Sequence, residues 1–165
     1  AQSLATILPL VDEPALGSLD KLREMFGRIV AWKTEQREFL HRLIIAMNQE
    51  GNAVLRQRLD RAGREAGEPL LAAIIEQGVA EGGFRTRFPR QAAHIVLRIS
   101  QSQSRCFQRR LLSRERGPEV IAELERELAA HYDAIERVLG APEGSLGHFE
   151  RESLVRWLEL DVEEL

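Results

Sequence analysis

Apolar positions recur along this chain at three- and four-residue steps, the period of helices that each bury one face. Leu4, Ile7 and Leu8 share such a face, so the opening residues read as the tail of a helix. Asp12, Glu13, Pro14 and Gly17 end it in a loop. Ser18 is a good N-cap for the next helix, with Asp20 in its first turn. There Leu19, Leu22, Phe26, Ile29 and Val30 recur as far as about Lys33. Thr34 is placed to cap a further helix in which Phe39, Leu40, Leu43, Ile44 and Met47 are apolar, and Gly51 stops it. Asn52 can cap a long helix whose stripe runs through Leu55, Leu59, Ala62, Ala66, Leu70, Ile74 and Gly78. Pro69 falls inside that pattern. An interior proline removes a backbone bond and costs ~3 kcal/mol, yet the register continues through it. A single kinked helix is expected, ended by Gly82 and Gly83.

Pro89 suits a first helical position. The helix it opens runs to about Leu112, with Ala92, Ile95, Val96, Ile99, Cys106 and Leu111 on its stripe and a polar insert from Ser100 to Ser104. Gly117 and Pro118 open another, lasting to Val138 or Leu139 and stopped by Gly140. A short helix over 150–159 closes the pattern, with Trp157 placed to staple it onto the body. β-branched residues never cluster and no repeat is evident. The fold class is all-α: six to seven helices in one undivided domain over 1–165.

Composition narrows the functions available. The 165 residues are 44% hydrophobic and 30% charged, the balance of a globular protein rather than a disordered one. The net charge of −3 argues against this segment itself gripping nucleic acid, which needs a basic face. One cysteine excludes an internal disulfide and a cysteine-based zinc site. No apolar run approaches the ~20 residues that span a bilayer, and no signal-peptide pattern opens the chain. No membrane partner and a cytoplasmic location are therefore expected. The chain begins without methionine and already in a helical pattern, which reads as a fragment lacking an N-terminal part.

Catalytic and metal readings are weak. Glu38 and His41 have the Glu-x-x-His spacing of carboxylate-bridged di-iron bundles, but no second such motif follows. Glu127 and His131 are four apart with no third ligand in view. No P-loop, dinucleotide fingerprint or Gly-x-Ser-x-Gly occurs. No enzyme, metal or cofactor is expected, and Cys106 beside Phe107 reads as an inert packed thiol.

The helix after Pro118 carries the strongest pairing signal. Ile121, Leu128 and Ile135 fall seven apart, and Leu124, His131 and Val138 fill the intervening positions, giving three heptads of seam widened by Tyr132. Such a stripe serves either as internal core or as a dimer face. His131 reads as a packed histidine with one hydrogen bond. The insert Ser100, Gln101, Ser104 either lets another helix come close or supplies polar anchors inside a ligand cavity. Arg105, Arg109 and Arg110 read as a solvated surface matched to the helix dipole.

Gln77, Gly78, Gly82 and Phe84 form a Gln-Gly-x-x-x-Gly-x-Phe pattern between two long helices. With Ala31, Trp32, Lys33 and Thr34, and with Asn52 to Arg56 upstream in the same order, it resembles the ligand-binding domain of TetR-type transcriptional regulators. The resemblance runs over about 19–157 and leaves out any DNA-binding helix-turn-helix. It implies two tasks. Helices matching 89–112 and 118–139 would pack against their symmetry mates in a four-helix bundle, through Ile99, Cys106, Ile121, Leu124, Leu128, His131, Tyr132, Ile135 and Val138. Helices matching 18–33, 35–50, 52–81 and the first half of 89–112 would enclose a small apolar or amphipathic effector, through Phe26, Ile29, Ile44, Met47, Leu71, Ile75, Leu97 and Gln101. Effector binding would control operator DNA held by a domain outside this chain, most simply as a repressor. A helical dimeric interaction module without a small-molecule ligand is the rival reading.

Overall fold

Seven helices follow one another among the described residues, 7–49, 51–113, 115–147 and 149–158 of a computed structural model, and no strand occurs there. They are α1 (Leu8–Val11), α2 (Ser18–Glu35), α3 (Arg37–Asn48), α4 (Ala53–Ala80), α5 (Pro89–Ser113), α6 (Pro118–Leu139) and α7 (Arg151–Leu158). The all-α expectation holds. Helix α4 runs unbroken through Pro69, as the continuous register predicted. Pro69 is exposed, so the side of the helix that loses a bond faces water, where a freed carbonyl is least costly.

Several boundaries differ from the sequence reading. Ser18 is the first residue of α2, and Gly17 occupies the cap position. Thr34 caps nothing. It lies inside α2, donates its hydroxyl to the Val30 carbonyl at 2.9 Å, and leaves the break between α2 and α3 to Gln36. Asn52 stands at the start of α4, but its side-chain amide donates backwards to the Ala46 carbonyl at 2.7 Å. At the opening, Ile7 and Leu10 are buried while Leu8 is exposed, so Leu8 does not share the buried face with Ile7; Leu4 lies outside the described residues.

The long helices pack antiparallel. Arg105 meets Asp60 at 2.8 Å, His94 meets Glu68 at 3.2 Å and Arg90 meets Glu76 at 3.0 Å, which sets α5 against α4 in opposite direction. Arg110 meets Glu123 at 2.6 Å, and the Arg85 backbone N–H donates to the Leu139 carbonyl at 2.9 Å, which sets α6 against α5 in the same manner. Two apolar clusters result. The larger joins α1, α2, α4, α5 and α6 around Leu22, Leu71, Ile74, Ile75, Phe84, Ala93, Val96, Ile135 and Leu139. The smaller gathers Ile44, Leu111, Leu124, Leu128, Leu154, Trp157 and Leu158 where α3, α5, α6 and α7 meet. Trp157 staples α7 as expected: its ring stands edge-on to Phe107 at 5.4 Å, and its indole N–H donates to Thr34 Oγ1.

Candidate functional site

The Gln-Gly-x-x-x-Gly-x-Phe segment builds a structural node. The backbone N–H groups of Gly83 and Phe84 both donate to the Gly78 carbonyl, at 2.9 and 3.0 Å, which turns the chain back on α4. The turn needs Gly82 in the left-handed region, φ 77°. It folds the Phe84 ring over Gly78, where a Cβ would stand 2.1 Å from the ring. Gln77 donates to the Leu16 carbonyl at 3.1 Å. Glu81 accepts from the Ser18 backbone N–H at 2.9 Å, taking the capping task that Ser18 was expected to perform for itself. Hydrogen bonds from the Ser18 hydroxyl, the Ser18 backbone and then Gln77 hold the Glu81 carboxyl below its usual pKa, with Lys21 assisting. Lys21 is buried and donates to the Val11 carbonyl at 2.8 Å. One short segment thus ties together α2, α4, the α5 approach and the end of α6.

The expected effector residues are only partly brought together. Leu71 and Ile75 lie at the centre of the larger cluster, at 1% and 0% exposure. Phe26, Ile29 and Leu97 are half-buried against that cluster. Met47 is half-buried and belongs to neither cluster, and Ile44 faces the smaller one with Trp157, away from Leu71. Gln101 donates to the Asp60 carbonyl and accepts from Arg64, both at 3.4 Å, so it bridges α5 to α4. Ser100 bonds the Val96 carbonyl within its own helix. An open surface depression elsewhere, lined by Glu125, Phe149, Arg151 and Val155, was not foreseen; the Glu125–Arg151 ion pair at 2.6 Å crosses it.

The expected dimer residues divide in the same way. Leu124, Leu128 and Ile135 retain 1%, 6% and 2% exposure, so the chain's own core consumes the heptad and leaves them almost no surface for a partner. Tyr132 packs edge-on against Phe26 at 6.0 Å within the same chain, and Ile121 and Val138 are half-buried against the clusters. Ile99, Cys106 and His131 keep part of their surface. His131 makes its one hydrogen bond, Nδ1 to the Glu127 carbonyl at 2.6 Å. Cys106 is less packed than its apolar neighbour implied: it is half-exposed, and its Sγ accepts from Arg109 at 3.2 Å. Arg105 and Arg110 pair across helices rather than standing free.

No protein-family model matches the chain, and neither a curated protein nor a solved structure matches it significantly. The TetR likeness therefore rests on the residues quoted above. No helix of the described residues is long and apolar enough to cross a membrane, and no group of three or more His, Cys, Asp or Glu there could hold a metal ion.

The end of the molecule away from the node carries features the sequence reading missed. His41 is fully buried with both ring nitrogens unpartnered, while Glu38, three residues before it, is exposed. Burial, and then the Arg116 charge, push the His41 pKa down. Phe39, expected in the core, is 60% exposed. No residue of 53–70 is fully buried, and the stripe expected to face the core shows Leu55 at 46% and Leu59 at 45% exposure. The signal that could have found this is charge: the α5-facing positions of this half are Asp60, Arg64 and Glu68, so its apolar stripe must point elsewhere.

Proposed function

We propose that this chain is the dimerising, effector-responsive domain of a TetR-like regulator. The supporting observation is the Gln77–Phe84 node, placed directly before two long antiparallel helices in the order the family resemblance requires. Each of those helices keeps an edge stripe at least partly uncovered: Ile95, Ile99 and Cys106 on α5, with Phe88 just before it, and His131 and Val138 on α6. Two copies joined by a twofold axis bury those edges. The half-buried Phe26, Ile29, Met47 and Leu97 line the effector's place, with Leu71 and Ile75 as its floor and Gln101 as a polar anchor. An apolar or amphipathic molecule settling there shifts the spacing of DNA-reading domains carried outside this chain.

The second reading, a dimeric interaction module without a ligand, is favoured by one observation. Leu71 and Ile75 are covered by the chain's own side chains. Sedimentation equilibrium of wild type and Ile95→Asp, with native mass spectrometry of protein taken directly from cells, separates the two. A dimer that Ile95→Asp dissociates, carrying a small molecule that Leu97→Asp releases, supports the regulator. A ligand-free dimer supports the module. A monomer at high concentration rejects both.

A further inference from the structure

The first half of α4 carries a seam that this chain does not cover. Leu55, Leu59, Ala62 and Ala66 follow at steps of four, three and four, the spacing of alternate core positions in a coiled coil. All four are exposed. They lie on the side of α4 turned away from α5, since Asp60, Arg64, Gly67 and Glu68 make the α5 contacts. Gly63 sits beside the seam in an exposed helix interior, where glycine weakens the helix by about 1 kcal/mol relative to alanine. Beyond its own turn of helix, nothing among the described residues lies within 4 Å of where its Cβ would stand.

We propose that this seam pairs with the same seam of a second copy, antiparallel, about a twofold axis passing between Asp60 and Arg61. The sizes decide the direction. Antiparallel pairing sets Leu59 on the partner's Ala62 and Leu55 on the partner's Ala66, so each of the four layers joins one large and one small side chain. Parallel pairing stacks leucine on leucine and alanine on alanine, giving two wide layers and two empty ones. Charge agrees. Arg58, which flanks Leu59, comes opposite the partner's Glu65, and the symmetry repeats that pair on the other side. Arg58 is exposed and forms no ion pair among the described residues. Glu65 is exposed too, held only by Arg61 on its own surface at 2.7 Å. Gly63 and the alanines let the two backbones come close. The seam shares no residue with the α5 and α6 edges, so it stands whether or not the regulator reading does.

Mixed disulfide trapping tests it. In a Cys106→Ser background, Leu55→Cys and Ala66→Cys proteins are oxidised gently, separately and then mixed. Antiparallel pairing places each Leu55 about 11 residues, on the order of 16 Å, along the axis from its own copy. Cross-linked dimers should form in the mixture and not in either sample alone. Charge supplies the second measurement. Glu65→Arg should weaken association about fivefold, and Arg58→Glu combined with Glu65→Arg should restore it. Both substitutions are at exposed positions, so folding is retained and circular dichroism verifies it. Cross-linking within a single sample, no cross-linking in the mixture, or no rescue by the double charge swap overturns the proposal.

Discussion

The node around Gly78 and the opposite end around His41 share the long helices α4, α5 and α6 but are completed to different degrees. At the node most polar groups withdrawn from water have partners: buried Lys21 has the Val11 carbonyl, half-buried Gln77 the Leu16 carbonyl, and buried Glu136 accepts from the Gly144 and Leu146 backbone, both at 2.8 Å, with the Ser145 hydroxyl the exception. At the far end His41 has none, and Phe39, Leu55 and Leu59 remain in water. Unpartnered buried groups and uncovered apolar stripes both cost free energy. The far end carries these costs more heavily than the node does. Four substitutions break or sharpen that contrast.

The largest effect belongs to Gly78→Ala. The added Cβ collides with the Phe84 ring, which is itself 2% exposed and cannot swing into water without leaving the core. Urea unfolding should show a loss of about 3 kcal/mol. Phe84→Ala should cost about as much by leaving a cavity. Once the ring is gone, however, the alanine at 78 has room, so the double variant should be clearly less destabilised than the sum of the two. Simple additivity would mean that the ring and the glycine do not determine each other.

About half of the node is legible in the sequence. Glycines, proline and the aromatic stand close together in sequence, and the chemistry of turns is local. What could not be read is the bond from Glu81 to Ser18, 63 residues apart. A capping serine looks the same whether its own side chain or a distant carboxylate does the work. The far end fails for a related reason. Periodicity reports that a stripe will be covered, not by whom. Leu124, Leu128 and Ile135 fall on heptad core positions, at steps of four and seven, as a dimer seam would, and the chain covers them itself; Leu55 and Leu59 look like core, and the chain leaves them bare. Helix existence needs only the 3.6 period, so all the long helices were found. Their tertiary partners depend on packing direction, fixed here by ion pairs such as Arg105–Asp60 across 45 residues.

His41→Leu comes next in size and should act in the opposite direction. Leucine fills a similar space and removes two unpartnered nitrogens from the interior, so stability should rise by about 1 kcal/mol at neutral pH. The pH dependence sharpens the test. Burial and the Arg116 charge hold the folded-state pKa of His41 below its unfolded value. The unfolded chain therefore binds the proton first, and wild-type stability falls as pH drops through about 6.5, the unfolded value, toward the depressed one. The leucine variant lacks that fall, and the gap between the two should widen from pH 7.5 to pH 5.5. Destabilisation by His41→Leu at every pH would mean that the histidine is properly partnered in solution and the far end is complete.

Glu81→Gln has the smallest expected effect and probes the satisfied end. Glu81 is exposed as a residue, so its bonds to Ser18 compete with water, and neither charge nor geometry is worth as much as at a buried site. The Ser18 hydroxyl and backbone N–H, with Gln77, nevertheless lower its pKa in the folded state. A carboxylate so lowered contributes stability that is fully present above its unfolded pKa and is lost as pH falls toward the folded one. Wild type should accordingly melt at a higher temperature than Glu81→Gln at pH 7, with the difference shrinking through about pH 4, near the unfolded glutamate value. Calorimetry at both pH values decides it. A difference that stays constant with pH would assign the effect to lost shape at the α2 start rather than to the charge, and the node would then owe its order to packing around Phe84 alone.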